Sequence, residues 1–493
     1  NIFRAFQAKD VQRLLDQGIL DRGITVAEGF DYEIIEKQYR PHDNLSILVT
    51  LKGEGTIEKT VVGSIGESCI LDSGNEREYS RLKEIFAADS LQLASFTITE
   101  KGYSLVNDRG EQLKEVAEDL EAGPHSPKSY MGKVVSLLYA RFLAGKKPIA
   151  MVSMDNCSHN GDKLKEAVLA FAKAWGERGL AKREFLDYVK DRKKVSFPWS
   201  MIDKITPRPD PSIEEILKKD GVEDLEPVIT SKNTYVAPFV NAEQTQYLVV
   251  EDWFPAGRPP LEKAGVYFTD RETVDRVEKM KVCTCLNPLH TALAVFGCLL
   301  GYTKISEEMK NKDLKSLVEL IGYGEGLPVV VNPGILDPRE FLDTVLRERI
   351  PNPFMPDTPQ RIATDTSQKL AIRFGETIKA YVADPTLDPG MLKGIPLVLA
   401  AWIRYLMGVD DAGKAFALSP DPLLDSLVPA VSRLSLGKEE GAGETAAPIL
   451  ENQAIFGVDL KKAGLQAKVI EYLKEMLRGP GAVDQTLKKV VSQ

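Results

Sequence analysis

Lys281, Asn287 and His290, in the run KVCTCLNPLH, are the residues whose types and spacing could do chemistry. Pro288 disfavours the α conformation at the residue before it, yet suits the first turn of a helix. The spacing therefore predicts Asn287 as a helix N-cap. Its side-chain oxygen would accept a backbone N–H while its amide nitrogen donates outward, beside the positive end of the helix dipole. His290 then falls within the same first turn. A lysine, an amide donor and an imidazole converging on one point can serve general acid/base and oxyanion roles. The same spacing also describes a capped helix, a solvated lysine and a buried histidine. Metal binding is the rival use, but there are only four histidines, no HxxxH and no paired CxxC. Cys283-x-Cys285 reads as core thiols, so no metal is expected. Neither a Gly-x-Ser-x-Gly elbow nor a Walker loop is present.

A dinucleotide site needs a Gly-rich strand-to-helix turn and an acidic residue at the end of the next strand to grip the ribose diol. Glu28, followed by Gly29, is a candidate for the acid, with a solvated loop carboxylate as the alternative. The glycines of such a turn are missing: Gly53-Glu54-Gly55 reads as a hairpin turn, and Gly322 to Gly326 as a break before an apolar extended run.

The elements that must position these residues alternate. Ala8 to Leu15 is helix-like, Ile24 to Ala27, Leu45 to Leu51 and Leu91 to Ile98 are strand-like, and Tyr130 to Leu143 is an amphipathic helix. It leads into the buried strand PIAMVSM, which ends at Asp155-Asn156, before Asn160-Gly161 opens the next helix. Asp155 and Asn156 thus sit at the carboxyl edge of a parallel sheet, where ligands of doubly wound folds bind. From Arg271 onward helical patterns dominate, with further breaks at Pro351 to Pro359 and a flexible loop at Ser435 to Pro448. The expected fold class is α/β: an N-terminal parallel-sheet domain over 1–200 and a mainly α-helical domain over 201–493.

The chain has 493 residues with 43% hydrophobic and 27% charged, the balance of a folded protein of two or three domains. A net charge of -9 offers no basic surplus for nucleic acid, so none is expected as a partner. The five cysteines suit a reducing compartment, and the cytoplasm is the expected location. Apolar runs such as Thr291 to Leu300 fall short of a bilayer span, so no membrane is expected.

At Thr97 to Tyr103 the run TITEKGY resembles the polyol-specific long-chain dehydrogenases, the mannitol dehydrogenase family. Further segments resemble it in the same order: NIFRAF at the start, Asp155-Asn156 with Asn160-Gly161, FPWSMIDKITP, EDWFPAGRPP, the Lys281 to His290 cluster, and Arg361-Ile362-Ala363 with Ser367-Gln368-Lys369. The resemblance implies a metal-independent, nicotinamide-dependent oxidoreductase with an N-terminal Rossmann-type domain and a helical substrate domain, whose first strand and Gly-x-Gly turn would directly precede Asn1. By motif, Lys281 would be the catalytic acid/base, Asn156 and Asn287 oxyanion donors, His290 a substrate-orienting group and Glu278 a proton relay. Asp203, Arg361 and Lys369 would line the substrate site, and Phe3, Arg4, Glu28, Thr97 and Asn156 the cofactor site. Glu28, which would accept from a ribose 2′-OH and repel a 2′-phosphate, slightly favours NAD(H) over NADP(H) as the cofactor. The implied substrates are sugar acids, fructuronate/mannonate first and tagaturonate/altronate next, with a mannitol/fructose polyol dehydrogenase and a non-catalytic dinucleotide-binding sensor as alternatives. A monomer or small homo-oligomer is expected. The family usually has four residues between the lysine and the asparagine, whereas Val282 to Leu286 makes five here. A bulge or broken helix must absorb the extra residue, and Lys279 is the fallback base.

Overall fold

The computed structural model describes residues 1–107 and 109–492. They form two compact units, one of residues 1–51 and 57–275, the other of 52–56 and 276–493. The strands follow in chain order as β1 Ile24–Glu28, β2 Ser46–Leu51, β3 Ile57–Val62, β4 Ile65–Ile70, β5 Leu93–Phe96, β6 Ile149–Ser153, β7 Val195–Ser196, β8 Ser200–Asp203, β9 Val228–Ile229, β10 Tyr235–Val236, β11 Phe239–Glu243, β12 Tyr247–Glu251 and β13 Tyr267–Thr269. All lie in the first unit.

Parallel pairing dominates where the sequence alternates helix and strand. β1 runs parallel to β4, and β5, β6 and β7 form a three-stranded parallel sheet in that order. β6 is buried at every residue, as expected of a strand covered on both faces. Helix Tyr130–Leu143 feeds it, opened by Ser129, whose hydroxyl accepts the Gly132 amide at 3.1 Å. Near the other end of that helix the buried Arg141 guanidinium donates to the carbonyls of Phe86, Ala88, Leu91, Lys147 and Pro148. One side chain thereby ties together the segments that enter β5 and β6.

The expected break at residue 200 lies inside the first unit. β11, well past 200, completes the sheet begun by β2 and β3, and β12 pairs with both β8 and β13 within the same unit, which runs to 275. The second unit is helical. Two of its expected loops are corrected. Gly322 to Gly326 continue the helix Lys312–Glu319 as a π-helical turn, Leu320–Gly326, and the helix Ala442–Leu450 takes in the second half of the stretch expected to be a loop. In the first case Glu325 supplies the reason: its carboxylate accepts the amides of Lys393, Gly394 and Ile395 at 2.6–2.8 Å and so opens the buried helix Gly394–Tyr405. Helical residues 271–300 are long and apolar enough to cross a bilayer, but 78% of their apolar 18-residue stretch is buried within the protein. No disulfide joins the five cysteines.

Glu308 in the second unit is fully buried, and neither carboxyl oxygen has a hydrogen-bond partner among the described residues. Burial pushes its pKa up to about 9. The native state therefore keeps a proton that the unfolded chain releases above the ordinary glutamate value of ~4.3, and stability falls as pH rises through that window toward 9. Glu308→Gln removes the effect. Its gain in stability over wild type, read from urea melts, should grow by up to ~1.4 kcal/mol per unit between pH 5 and pH 8. A gain independent of pH would show that Glu308 titrates in the native state as it does in the unfolded chain.

Candidate active site

The candidate residues divide between the two units. In the first, the unpaired edges of β1 and β5 line a cavity of about 1740 Å³, whose walls include Phe3, Arg4, Glu28 and Thr97. Four of the five expected cofactor residues thus share one cavity, larger than the usual ~300–1,000 Å³ of small-molecule pockets. Arg4 is buried, and its guanidinium donates to the Ala237 carbonyl at 2.9 Å. Glu28 ends β1. Its Oε1 accepts the amides of Phe30 and Asp31 at 2.8 and 3.1 Å, while Oε2 makes no hydrogen bond among the described residues. Gly29 is required beside it, because a Cβ there would meet the Tyr130 ring at 2.7 Å.

The TITEKGY run is held by Asp155, two residues past the end of β6. Asp155 accepts the amides of Ile98 and Thr99, both at 3.0 Å, and the Tyr103 hydroxyl at 2.5 Å. Thr99 is thereby fixed with φ at 63°, a left-handed conformation uncommon outside glycine. Burial and the Asp155 charge push the Tyr103 phenol well above its ordinary value, so it stays a donor. Asn160 completes the frame: its Nδ2 donates to the Asp155 and Ser200 carbonyls at 3.0 Å, and its Oδ1 accepts the Ser200 amide. Asn156 is exposed between these two anchors and is not among the residues lining the cavity. Asp203 is buried at the end of β8, opposite Tyr247 of β12.

In the second unit Lys281 is 4% exposed, whereas Lys279 faces solvent. Glu278 is half-buried on the helix Arg271–Lys279. Lys281 lies in a π-helical turn, Met280–Cys285, closed by the Leu286 amide donating to the Lys281 carbonyl at 3.0 Å, a five-residue step. Such a turn holds one residue more than an α-helical turn. The expected N-cap is corrected. Leu286, at φ -126° and ψ -61°, is the capping position, and its carbonyl accepts the first helical bond, from the His290 amide at 3.1 Å. Asn287 is already the first helical residue, because Pro288 fits the second position of the turn and the π-turn supplies the change of direction instead. Its side-chain amide, half-exposed, makes no hydrogen bond among the described residues.

His290 Nε2 lies 3.6 Å from Oδ2 of the buried Asp357, whose other oxygen accepts a hydrogen bond from Arg361. Burial holds the imidazole pKa down to about 4, against the pull of Asp357 and with the push of Arg349, Arg373 and Arg361, so His290 is neutral at physiological pH. Lys369 donates to the Thr364 carbonyl, and burial lowers its pKa. The cysteines between Lys281 and His290 include Cys285, buried and pushed up to about 12. Among the described residues no three His, Cys, Asp or Glu side chains are grouped to hold a metal.

The structure therefore brings His290 and Arg361 together through Asp357, which the sequence reading missed. The i,i+4 spacing of Asp357 and Arg361 on a helix start was the one available signal. Asp155, Asn160 and Tyr103 were legible only as parts of motifs; their roles depend on pairings 40–57 residues apart.

Residues 1–263 match the mannitol dehydrogenase Rossmann domain and residues 273–477 the mannitol dehydrogenase C-terminal domain. The chain is 55% identical to a D-mannonate oxidoreductase of Thermotoga maritima, over 100% of this chain and 91% of that one. It is 30% identical to a mannitol 2-dehydrogenase of Pyrenophora tritici-repentis, over 89% and 70%. Among solved structures, a substrate-free D-sorbitol dehydrogenase matches with a TM-score of 0.81 at 25% identity, covering 98% of this chain and 93% of that one. A Pseudomonas fluorescens mannitol 2-dehydrogenase in ternary complex with NAD and D-mannitol matches with a TM-score of 0.68 at 29% identity, over 100% and 92%.

Proposed function

The chain belongs to the mannitol dehydrogenase family, and we propose that it is a nicotinamide-dependent oxidoreductase interconverting fructuronate and mannonate, acting in the cytoplasm. The observation that carries the substrate is the 55% identity along the whole chain with a D-mannonate oxidoreductase, against 30% with a mannitol 2-dehydrogenase. Tagaturonate/altronate is the next choice of substrate. Reduction of fructose to mannitol is the second reading, favoured by the likeness to a mannitol 2-dehydrogenase bound to NAD and D-mannitol.

The first unit suits a dinucleotide. Its cavity has the size, and the Glu28 Oε2 is an uncommitted acceptor at the end of a parallel strand, where a ribose diol would be held, with Phe3, Arg4 and Thr97 along the walls. When bound, a nicotinamide supplies or takes the hydride at the substrate carbon. The chain does the rest. Lys281 gives a proton to the oxygen of a ketone under reduction and takes it back in oxidation, and Glu278 passes it to solvent. Asn156 and Asn287, neutral amide donors, stabilise the negative charge that develops on that oxygen. His290, neutral and turned toward Asp357 through Nε2, orients the substrate with Asp203, Arg361 and Lys369.

Steady-state kinetics with NADH or NADPH, each with fructuronate, tagaturonate and fructose, tests this reading. The expected result is the highest kcat/KM with NADH and fructuronate, because the Glu28 carboxylate accepts from a ribose 2′-OH and repels a 2′-phosphate. A preference for NADPH would show that Glu28 does not hold the ribose. Absence of turnover with all three would favour a dinucleotide-binding sensor.

A further inference from the structure

We propose that Arg373 binds the carboxylate of the sugar-acid substrate and is the residue that sets acid against polyol specificity, a proposal that rests on the sugar-acid reading above. The other two cations of the substrate set are already engaged. Arg361 is paired with the Asp357 carboxylate, and Lys369, a point charge without a planar fork, donates to the Thr364 carbonyl. Arg373 is half-buried in the π-helical turn Ala371–Gly375 and has no carboxylate partner among the described residues. Its one side-chain hydrogen bond runs from Nη1 to the Thr291 hydroxyl at 2.5 Å. Thr291 follows His290 on Asn287–Leu300, one turn on from Asn287, and its own hydroxyl proton is committed to the Asn287 carbonyl at 3.0 Å. The lone pair that receives Arg373 is thereby fixed in direction. The guanidinium is tethered beside the turn that carries Asn287 and His290.

A guanidinium taken partly out of water without an anion is costly, and burial lowers the Arg373 pKa to about 10, which leaves it charged at neutral pH. Four of its five N–H donors remain in a planar fork that matches a carboxylate in two parallel hydrogen bonds. Charge and geometry together select a carboxylate over a hydroxymethyl group at that end of the substrate. The hydroxyls of a neutral polyol would gain little from it.

The test compares wild type with Arg373→Gln and Arg373→Lys in the NADH-dependent reduction of fructuronate and fructose, with NADH affinity followed by fluorescence and Tm checked for each. Arg373→Gln should raise KM for fructuronate ~10–100-fold, the loss of a charge-assisted pair, with kcat within about threefold. Arg373→Lys should recover part of the loss by keeping the charge without the fork, and remains informative if the glutamine variant does not fold. Thr291→Val, which removes the tether together with the bond to the Asn287 carbonyl, should raise the same KM by a smaller factor. NADH affinity should hold, and kcat/KM for fructose should not fall. An unchanged fructuronate KM in both Arg373 variants, or equal losses on fructuronate and fructose, would overturn the assignment. Failure of wild type to reduce any hexuronate would instead bring down the sugar-acid reading itself.

Discussion

Lys281→Ala should lower turnover by ~10²–10⁴-fold with the fold intact, the range for removing a group that transfers a proton in the transition state. The structure sharpens this expectation by separating the two candidate lysines. Lys281 is buried in the π-helical turn, and Lys279, the last residue of the preceding helix, is exposed. The five-residue step from Lys281 to Leu286 widens the turn by one residue, so the asparagine that follows starts its helix despite the longer spacing. An exposed lysine on a helix surface contributes little to stability or chemistry, so Lys279→Ala should keep turnover within about twofold. NADH affinity, read by fluorescence, should be unchanged in both. A dead Lys279→Ala beside an active Lys281→Ala would show that the inserted residue shifts the register, and that the proton donor sits two residues earlier.

The parallel sheet was readable because its signal is local. PIAMVSM is a short apolar run bounded by a glycine turn and polar residues, and the structure buries all five residues of β6. The TITEKGY and EDWFPAGRPP runs also stand out as motifs, but much of what they do is structural. Glu251, at the head of the second, pairs with Arg192 and Arg271 and takes the Trp199 amide, while Arg258 joins Asp252 to Glu262. What stayed hidden depends on long-range pairing. Glu325 opens a helix 69 residues later, at Gly394, and Arg373 reaches Thr291 across 82 residues, distances at which no periodicity carries information. π-helical turns hid for another reason. They differ from α-helix only in hydrogen-bond step, so the turns at 280–285, 320–326 and 371–375 have the composition of an ordinary helix or an ordinary break.

The displacement of the helix cap from Asn287 to Leu286 bears directly on what Asn287→Ala should do. Were Asn287 the cap, its loss would cost ~0.5–2 kcal/mol of stability, and a fall in activity could be a fall in folded protein. In the structure the capping role belongs to the Leu286 backbone, and the Asn287 side chain makes no hydrogen bond among the described residues. Alanine is well tolerated at the first helical position. Asn287→Ala should therefore leave Tm within a few degrees while kcat falls ~10²–10³-fold, as for the removal of one oxyanion donor. Since the donor acts on charge that develops during the reaction, KM should move far less than kcat. Asn287→Asp should be worse than alanine, because a carboxylate in place of the amide repels the developing oxyanion instead of merely failing to hold it. If Asn287→Ala melted well below wild type and its residual folded fraction retained normal kcat, the asparagine would be structural, and the oxyanion role would have to be sought elsewhere.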